Sequence, residues 1–157
     1  ITQALLMASE LPVFVGVGGG LTTGTRVVNI AMYAEMQGAT GVVLNAPTAN
    51  TVVQHVAETI DIPVVVTVAR ADTDFEARLQ AGANIFNVSA AAETPAIVRS
   101  IRERYPDVPI IATGGPTDES ILETIQAGTN AITWTPPSNG EIFRDIMAAY
   151  RDNKPHP

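Results

Sequence analysis

The sequence contains no cysteine, which excludes disulfides and thiolate metal sites. That absence fits a reducing compartment, and we expect a cytoplasmic protein. Aromatic residues make up only 5% of the chain and charged residues only 16%. Hydrophobic residues reach 46%, however, so the composition is that of a folded globular chain and not of a disordered one.

Positive charge is also scarce. The chain has nine Lys and Arg residues and sixteen Asp and Glu residues, which gives a formal net charge of −7. Nucleic acids and anionic membranes attract cationic surfaces, so we expect neither as a partner. No apolar run approaches the roughly 18 residues that a membrane-spanning helix needs. The first ten residues lack the pattern of a signal peptide and lack an initiator Met, which is compatible with a start partway into the gene product.

Six short apolar runs predict six β-strands. They are rich in β-branched residues and do not alternate with polar ones, which is typical of parallel strands buried on both faces and covered by helices. The runs are Val13–Val17, Val42–Leu44, Val64–Val68, Ile85–Val88, Ile110–Ala112 and Ala131–Trp134. Segments with helical spacing lie between them, and a short extra helix is predicted over Ala4–Ser9. Gly38, Gly82 and Gly128 are placed to end three of the helices.

An internal repeat relates residues 61–89 to residues 107–135 at an offset of 46. The repeated unit is strand–helix–strand. Asp72 and Asp118 correspond within it, so we interpret both as helix caps or dipole partners, and Thr73-x-x-Glu76 as a capping box.

The fold prediction is an α/β protein, a parallel (βα)6 chain forming an incomplete or partner-completed TIM-type barrel. A closed (βα)8 barrel averages about 250 residues, so 157 residues are about two units short. A fragment, an open or dimer-completed barrel and a doubly wound open sheet all stay open as alternatives. We predict one domain over residues 1–151 and a polar tail over 152–157. Exposed strand edges favour a covering partner, so we expect a homo-oligomer, for example a homodimer.

In parallel α/β folds the ligand lies at the carboxyl ends of the strands. The residues there are small, polar and mostly uncharged, and they let backbone N–H groups approach a ligand. Gly114 and Gly115 follow the fifth predicted strand, and Ser138 precedes a helix after the sixth. Glycines beside a helix amino terminus predict a phosphate site. The alternative is that the glycines relieve a tight turn and Ser138 is only an N-cap.

The stretch "DVPIIATGGPTDESILETIQAGTNAITWTPP" (residues 107–137) resembles the closing units of the phosphate-binding (βα)8 barrels, most closely the ketodeoxyphosphogluconate aldolase type. The likeness covers roughly residues 61–140. It implies a phosphate on the loops after the last two strands, here Gly114, Gly115 and the turn from Thr135 to Ser138. Residues 11–47 are similar to the middle strands of dihydrodipicolinate-synthase-type lyases.

Both families use a strand lysine as a Schiff-base nucleophile, and this chain departs from them sharply. Its single lysine, Lys154, lies in the polar tail, and Thr133 and Trp134 occupy the sixth strand where the aldolase type carries its lysine. Class I aldolase chemistry within this chain is therefore not expected.

Arg70 is the charged residue of most interest at the strand ends. Its repeat partner is Pro116, so a repeated structural role does not explain it. It could clamp a phosphate or carboxylate bidentately, or it could pair on the surface with Asp72 or Asp74. His55 is better placed for a helix surface than for catalysis. The loop "GVGGGLTTGTR" (residues 16–26) fits neither the Rossmann nor the P-loop pattern, so a loop lining the same pocket is the better interpretation.

We therefore expect an enzyme, an isomerase or a lyase without a Schiff base, acting on a small phosphorylated or carboxylated metabolite. A non-catalytic ligand-binding or regulatory barrel is the alternative, and a third is that residues absent from this chain supply the catalytic groups. No cofactor and no metal site are predicted, and the catalytic residues are unassigned. The predicted ligand-binding residues are Gly114, Gly115, Ser138, Arg70, Asn45, Asn87 and Thr135.

Overall fold

The computed structural model describes residues 1–134 and 138–152, in which strands and helices alternate along the chain. The strands are β1 Phe14–Gly18, β2 Gly41–Leu44, β3 Val64–Val68, β4 Ile85–Val88, β5 Ile110–Thr113 and β6 Ala131–Thr133. The helices are α1 Thr2–Ala8, α2 Thr25–Met36, α3 Asn50–Thr59, α4 Phe75–Gln80, α5 Thr94–Arg104, α6 Asp118–Gln126 and α7 Asn139–Arg151. A 3₁₀ turn, Ala91–Glu93, precedes α5.

The six strands form one parallel sheet in the order β1-β2-β3-β4-β5-β6. Each strand therefore pairs with its neighbour in sequence, and the chain winds in one direction only. A doubly wound sheet reverses its strand order at a switch point, and this sheet does not. The prediction of six parallel βα units is confirmed, and the doubly wound alternative is wrong.

The main core lies between the outer face of the sheet and the helices. Val64, Val66 and Val68 of β3 belong to it, together with residues such as Phe86 of β4 and Ile101 of α5. Because side chains alternate along a strand, the intervening residues face the concave inner side. Thr67, Asn87 and Thr113 on that side are only half-buried, since the barrel is not closed.

The internal repeat has a hydrogen-bonding explanation. Asn84 donates its N–H to the Val64 carbonyl at 2.9 Å and accepts the Val64 N–H on its side-chain Oδ1 at 2.8 Å. Asn130 does the same with Ile110, at 2.8 and 2.9 Å. Each asparagine thus ties the entry of one strand to the entry of the preceding strand, which is why it recurs at the offset of 46.

The predicted helix ends are confirmed. Gly38, Gly82 and Gly128 all have φ between 88° and 103°, the left-handed region in which glycine ends helices without steric cost.

The predicted caps of α4, Asp72 and Thr73, lie two residues and one residue before the true N-cap. Asp74, not Asp72 or Thr73, is the N-cap, and its side chain accepts the Ala77 N–H at 3.0 Å. The Thr73 hydroxyl instead donates to the Arg70 carbonyl, which continues the turn after β3 before the helix begins. Asp118 lies in the first turn of α6, but its cap is Thr117 in a reciprocal pair with Ser120.

No helix within residues 1–134 and 138–152 has the length and apolar character needed to cross a membrane. The predicted polar tail, apart from Asp152, lies outside the described residues.

Candidate functional site

A cavity of about 540 Å³ lies at the carboxyl ends of β2 and β3. We call it the β2–β3 cavity. It is lined by residues 46–50 after β2, by Ala69 and Arg70 after β3, and by Thr73, Asp74 and Arg78 at α4. Two arginines thus line a cavity at the end of the sheet where parallel α/β folds bind their ligands.

Arg78 reaches from α4 to the connection between β2 and α3. Its guanidinium donates to the Ala46 carbonyl at 2.9 Å, to the Thr48 carbonyl, and to Asn50 Oδ1 at 2.8 Å. The residue is half-buried, and this burial lowers the pKa of the guanidinium. All three acceptors are uncharged, and through them Arg78 holds residues 46–50 in place along one wall of the cavity.

Arg70 is held differently. Its Nε and Nη2 donate to the two carboxylate oxygens of Asp72 at 2.9 and 2.8 Å. The two side chains are 78% and 68% exposed, so water screens the pair and its stabilisation is small. The hydrogen bond from Arg70 lowers the pKa of Asp72, and the same bond raises the pKa of Arg70. Arg70 therefore lies at the carboxyl end of β3, as predicted, but the two N–H groups that could bind a ligand bidentately already bind Asp72.

The glycine-rich loop after β1 packs tightly against the same connection. Gly19 is buried with φ of 96°, and a Cβ added there would lie 1.7 Å from Thr48 Oγ1. Thr48 is itself fixed, because its hydroxyl donates to the Asn45 carbonyl at 2.7 Å. Gly19 therefore allows the connections after β1 and β2 to approach each other closely.

Gly114 and Gly115 occupy a second region, after β5. A Cβ on buried Gly114 would lie 2.8 Å from Ile121, and Gly115 has φ of 83°. Gly115 lines two cavities, of about 420 and 300 Å³. Asp118 lines the larger of them and brings negative charge to it. Packing and backbone conformation thus account for both glycines without a ligand.

Ser138 caps its own helix. Its hydroxyl accepts the Glu141 N–H at 3.3 Å, and its N–H donates to Glu141 Oε2 at 2.7 Å. The hydrogen bond from the Ser138 side chain lowers the pKa of Glu141, which keeps a carboxylate at the start of α7. Thr135 lies outside the described residues.

The two predicted asparagines have separate surroundings. Asn87 lies on the inner face and donates to Thr67 Oγ1 at 3.3 Å, beside a second polar pair, Thr113 and Thr133, at 3.2 Å. Asn45 is exposed, and its backbone binds Gly18 and Thr48. Of the predicted residues that lie within 1–134 and 138–152, only Arg70 lines the β2–β3 cavity, whereas Gly114 and Gly115 line other cavities.

Arg78 was not among the predicted site residues, because an arginine inside an amphipathic helix resembles an ordinary surface residue. One signal could have found it: its repeat partner is Thr124, so a shared structural role does not account for its charge. Among residues 1–134 and 138–152, no group of three or more His, Cys, Asp or Glu could hold a metal ion.

Three solved structures that are similar to this one carry the names of enzymes. A protein of Burkholderia cenocepacia J2315 assigned as a phosphonomutase is 16% identical, with a TM-score of 0.71 over 98% of this chain and 74% of its own. A 2,3-dimethylmalate lyase of the PEP mutase/isocitrate lyase superfamily is 14% identical, with a TM-score of 0.69 over 99% and 68%. An oxaloacetate acetylhydrolase in complex with its product oxalate is 11% identical, with a TM-score of 0.70 over 99% and 66%.

At such identities the likeness establishes the fold alone: the chain is an incomplete TIM-type barrel. It spans about two thirds to three quarters of the length of these structures. No protein-family model and no curated protein matches the sequence. The closer likeness to the ketodeoxyphosphogluconate aldolase type is not supported by these structures.

Proposed function

We propose that this protein binds a small metabolite carrying a carboxylate or phosphate group, and that it is an enzyme of the lyase or isomerase type. The observation that carries the proposal is the β2–β3 cavity, where Arg70 and Arg78 meet at the carboxyl ends of the strands. Guanidinium groups are suited to oxyanions because their N–H groups match carboxylate and phosphate oxygens.

The similar structures support the reaction class. Their names are those of a phosphonomutase, a lyase and a hydrolase that releases oxalate. A chain with one lysine, Lys154 in the polar tail, has no strand lysine for a Schiff base. The proposal is therefore a bond rearrangement or cleavage without a covalent imine.

Within this proposal the β2–β3 cavity holds the anionic group of the metabolite, and Arg70 and Arg78 are the two candidate donors that line it. Asn45 and Asn87 orient the rest of the metabolite. Gly114, Gly115, Thr135 and Ser138 line the opposite side of the ligand site at the carboxyl ends of the strands. Asp74 is the carboxylate that lines the β2–β3 cavity among the described residues, and it is the first candidate for a proton acceptor there.

Non-catalytic binding is the second candidate. The polar groups on the inner face, Thr67, Asn87, Thr113 and Thr133, do not ionise at neutral pH, so they can bind a ligand without transferring protons.

The test is a thermal-shift panel of keto acids, dicarboxylates and sugar phosphates, each paired with an uncharged amide or sugar of the same carbon skeleton. We expect stabilisation by some charged members and none by their uncharged partners, because the arginines require the anion. Every stabilising compound is then incubated with the protein and analysed by NMR for new products. Stabilisation without turnover supports the binding candidate, and a panel without stabilisation contradicts both.

A further inference from the structure

The two arginines of the β2–β3 cavity differ in what neutralises their charge. Arg70 pairs with Asp72 through both carboxylate oxygens. Arg78 contacts two backbone carbonyls and one amide oxygen, and within the described residues it has no ion-pair partner. Arg78 therefore carries the uncompensated positive charge of the cavity.

Its hydrogen-bonding capacity is also incomplete. A guanidinium has five N–H donors, and Arg78 uses three of them on Ala46, Thr48 and Asn50. Two donors remain, which is the number that a bidentate carboxylate or two phosphate oxygens accept. Half-burial makes the charge more costly in the absence of an anion, and it also strengthens the attraction when one is bound.

The neighbouring backbone adds to the same field. Ala49, the N-cap of α3, offers no side-chain acceptor, and the first turn of this helix holds no acidic residue. Its partial positive charge is thus not offset locally. Asp74, the acid that lines the cavity, accepts the Ala77 N–H at the start of α4 and forms no ion pair with Arg78.

We propose that Arg78 is the oxyanion-binding group of the β2–β3 cavity, and that it takes the carboxylate or phosphate of a small ligand while holding residues 46–50 as the wall of that site. The proposal rests on the proposed function and assigns the anion to β2 and β3, in contrast to the predicted phosphate loops after β5 and β6.

A test must separate this role from ordinary loop anchoring, and Arg102 offers a matched control. It donates from α5 to the Gly128 carbonyl at 2.8 Å and to the Val108 carbonyl at 3.0 Å, at the amino ends of the strands. Arg78→Met and Arg102→Met each remove a half-buried guanidinium that binds carbonyls, but only the first removes one from the cavity.

Binding of oxalate and of inorganic phosphate is measured by NMR titration at constant ionic strength with chloride as the balancing salt. Oxalate and phosphate are separate arms, since they distinguish a carboxylate site from a phosphate site. We expect Arg78→Met to weaken the preferred probe about tenfold or more, the effect of losing a charge-assisted hydrogen bond. Arg102→Met is expected to change affinity less than twofold. In the wild type, the amide signals of residues 46–50 should shift, and those of Gly114 and Gly115 should not.

A second variant, Ala49→Asp, tests the assignment even if Arg78→Met does not fold. Ala49→Asp places a good N-cap residue at α3, where the backbone is already extended, and so should raise the melting temperature. It also places a negative charge in the cavity and should weaken the probe at least threefold relative to Ala49→Asn, which caps without charge. A more stable protein with weaker anion binding cannot be explained by loss of structure.

The outcomes are distinct. Weaker binding in Arg78→Met and Ala49→Asp, with Arg102→Met unaffected, supports the assignment. If the wild type binds a probe but Arg78→Met binds it equally well, or the shifts lie at Gly114 and Gly115, the assignment is overturned while the proposed function stands. If the wild type binds neither these probes nor any anion of the thermal-shift panel, both are overturned.

Discussion

At the residue scale, asparagine side chains supply hydrogen bonds that organise the sheet. Asn84 and Asn130 each exchange two hydrogen bonds with the first residue of a strand. Asn130 has an additional partner, because Arg102 Nη2 donates to its Oδ1 at 2.9 Å. Asn84 and Asn130 therefore make the same hydrogen bonds to the sheet, but the Oδ1 of Asn130 accepts one more hydrogen bond than that of Asn84.

Asn130→Ala should destabilise the protein by about 2 kcal/mol and Asn84→Ala by about 1 kcal/mol, because a removed acceptor leaves its donors without a partner. Urea unfolding of both variants measures this difference. Asn29→Ala, on the exposed side of α2, is the control and should be neutral or slightly stabilising. An equal loss in the first two variants would contradict the role assigned to Arg102.

The pKa of Glu141 is a second residue-scale prediction. Its carboxylate accepts the Ser138 hydroxyl and N–H, which lowers its pKa in the folded state. The capping contribution is then complete above the ordinary carboxyl pKa of about 4.3 and is lost as the pH falls through the lowered folded value. Ser138→Ala should raise the pKa of Glu141 towards the ordinary value, and Ser9→Ala should leave it unchanged. Carboxyl-carbon NMR titration measures both, and an unchanged value in Ser138→Ala would refute the capping pair.

At the element scale, the connections after β1 and β2 pack closely against each other. Gly19 approaches Thr48, Thr48 holds Asn45, and Arg78 holds residues 46–50 from α4. A chain of contacts thus links the connection after β1, the connection after β2 and helix α4, and it fixes one wall of the β2–β3 cavity.

Gly19→Ala should destabilise the protein by about 3 kcal/mol or more, since an alanine there combines a strained positive φ with overlap against Thr48 Oγ1. Thermal and urea unfolding give the magnitude. Gly16→Ala is the matched control in β1, where an added Cβ meets nothing within 4 Å and the stability should be unchanged. Adding Thr48→Ala to Gly19→Ala should recover part of the loss, and no recovery would mean that the overlap is not the cause.

At the scale of the whole molecule, large apolar side chains are exposed on α2 and α7. On α7, Phe143 and Tyr150 are 66% and 77% exposed, and on α2, Tyr33 and Met36 are 62% and 77% exposed. Apolar surface of this kind is typical of interaction sites. It gives a physical reason for the homo-oligomer expected from the sequence.

We expect sedimentation velocity to show species larger than the 16.5 kDa chain, in proportions that rise with concentration. The double substitution Phe143→Lys with Met147→Lys should weaken self-association at least about tenfold, because two apolar side chains would no longer be buried. Leu21→Lys, on an exposed loop, is the control and should have little effect. A wild type that stays monomeric at every concentration would contradict the expectation.

Much of the architecture was predictable from local patterns. The runs Val64–Val68 and Ile85–Val88 match β3 and β4 residue for residue, since a buried parallel strand needs continuous apolar residues. The start of α4 was not predictable to the residue, because Asp72, Thr73 and Asp74 are all good caps. The fold selects Asp74, as Arg70 binds Asp72 and Thr73 completes the turn.

Local side-chain patterns were enough to give the number of strands, their parallel direction and the glycines that end the helices, because each of these depends on only a few residues, whereas the order of the strands in the sheet came from the structure. Which charged side chains line the same cavity became known only from the folded structure. Arg70 and Arg78 line the same cavity because two connections and a helix converge after β2 and β3, whereas Gly114 allows close packing against Ile121 and Ser138 caps α7. Such convergence depends on how the sheet curves and how the helices pack, and no local pattern records it.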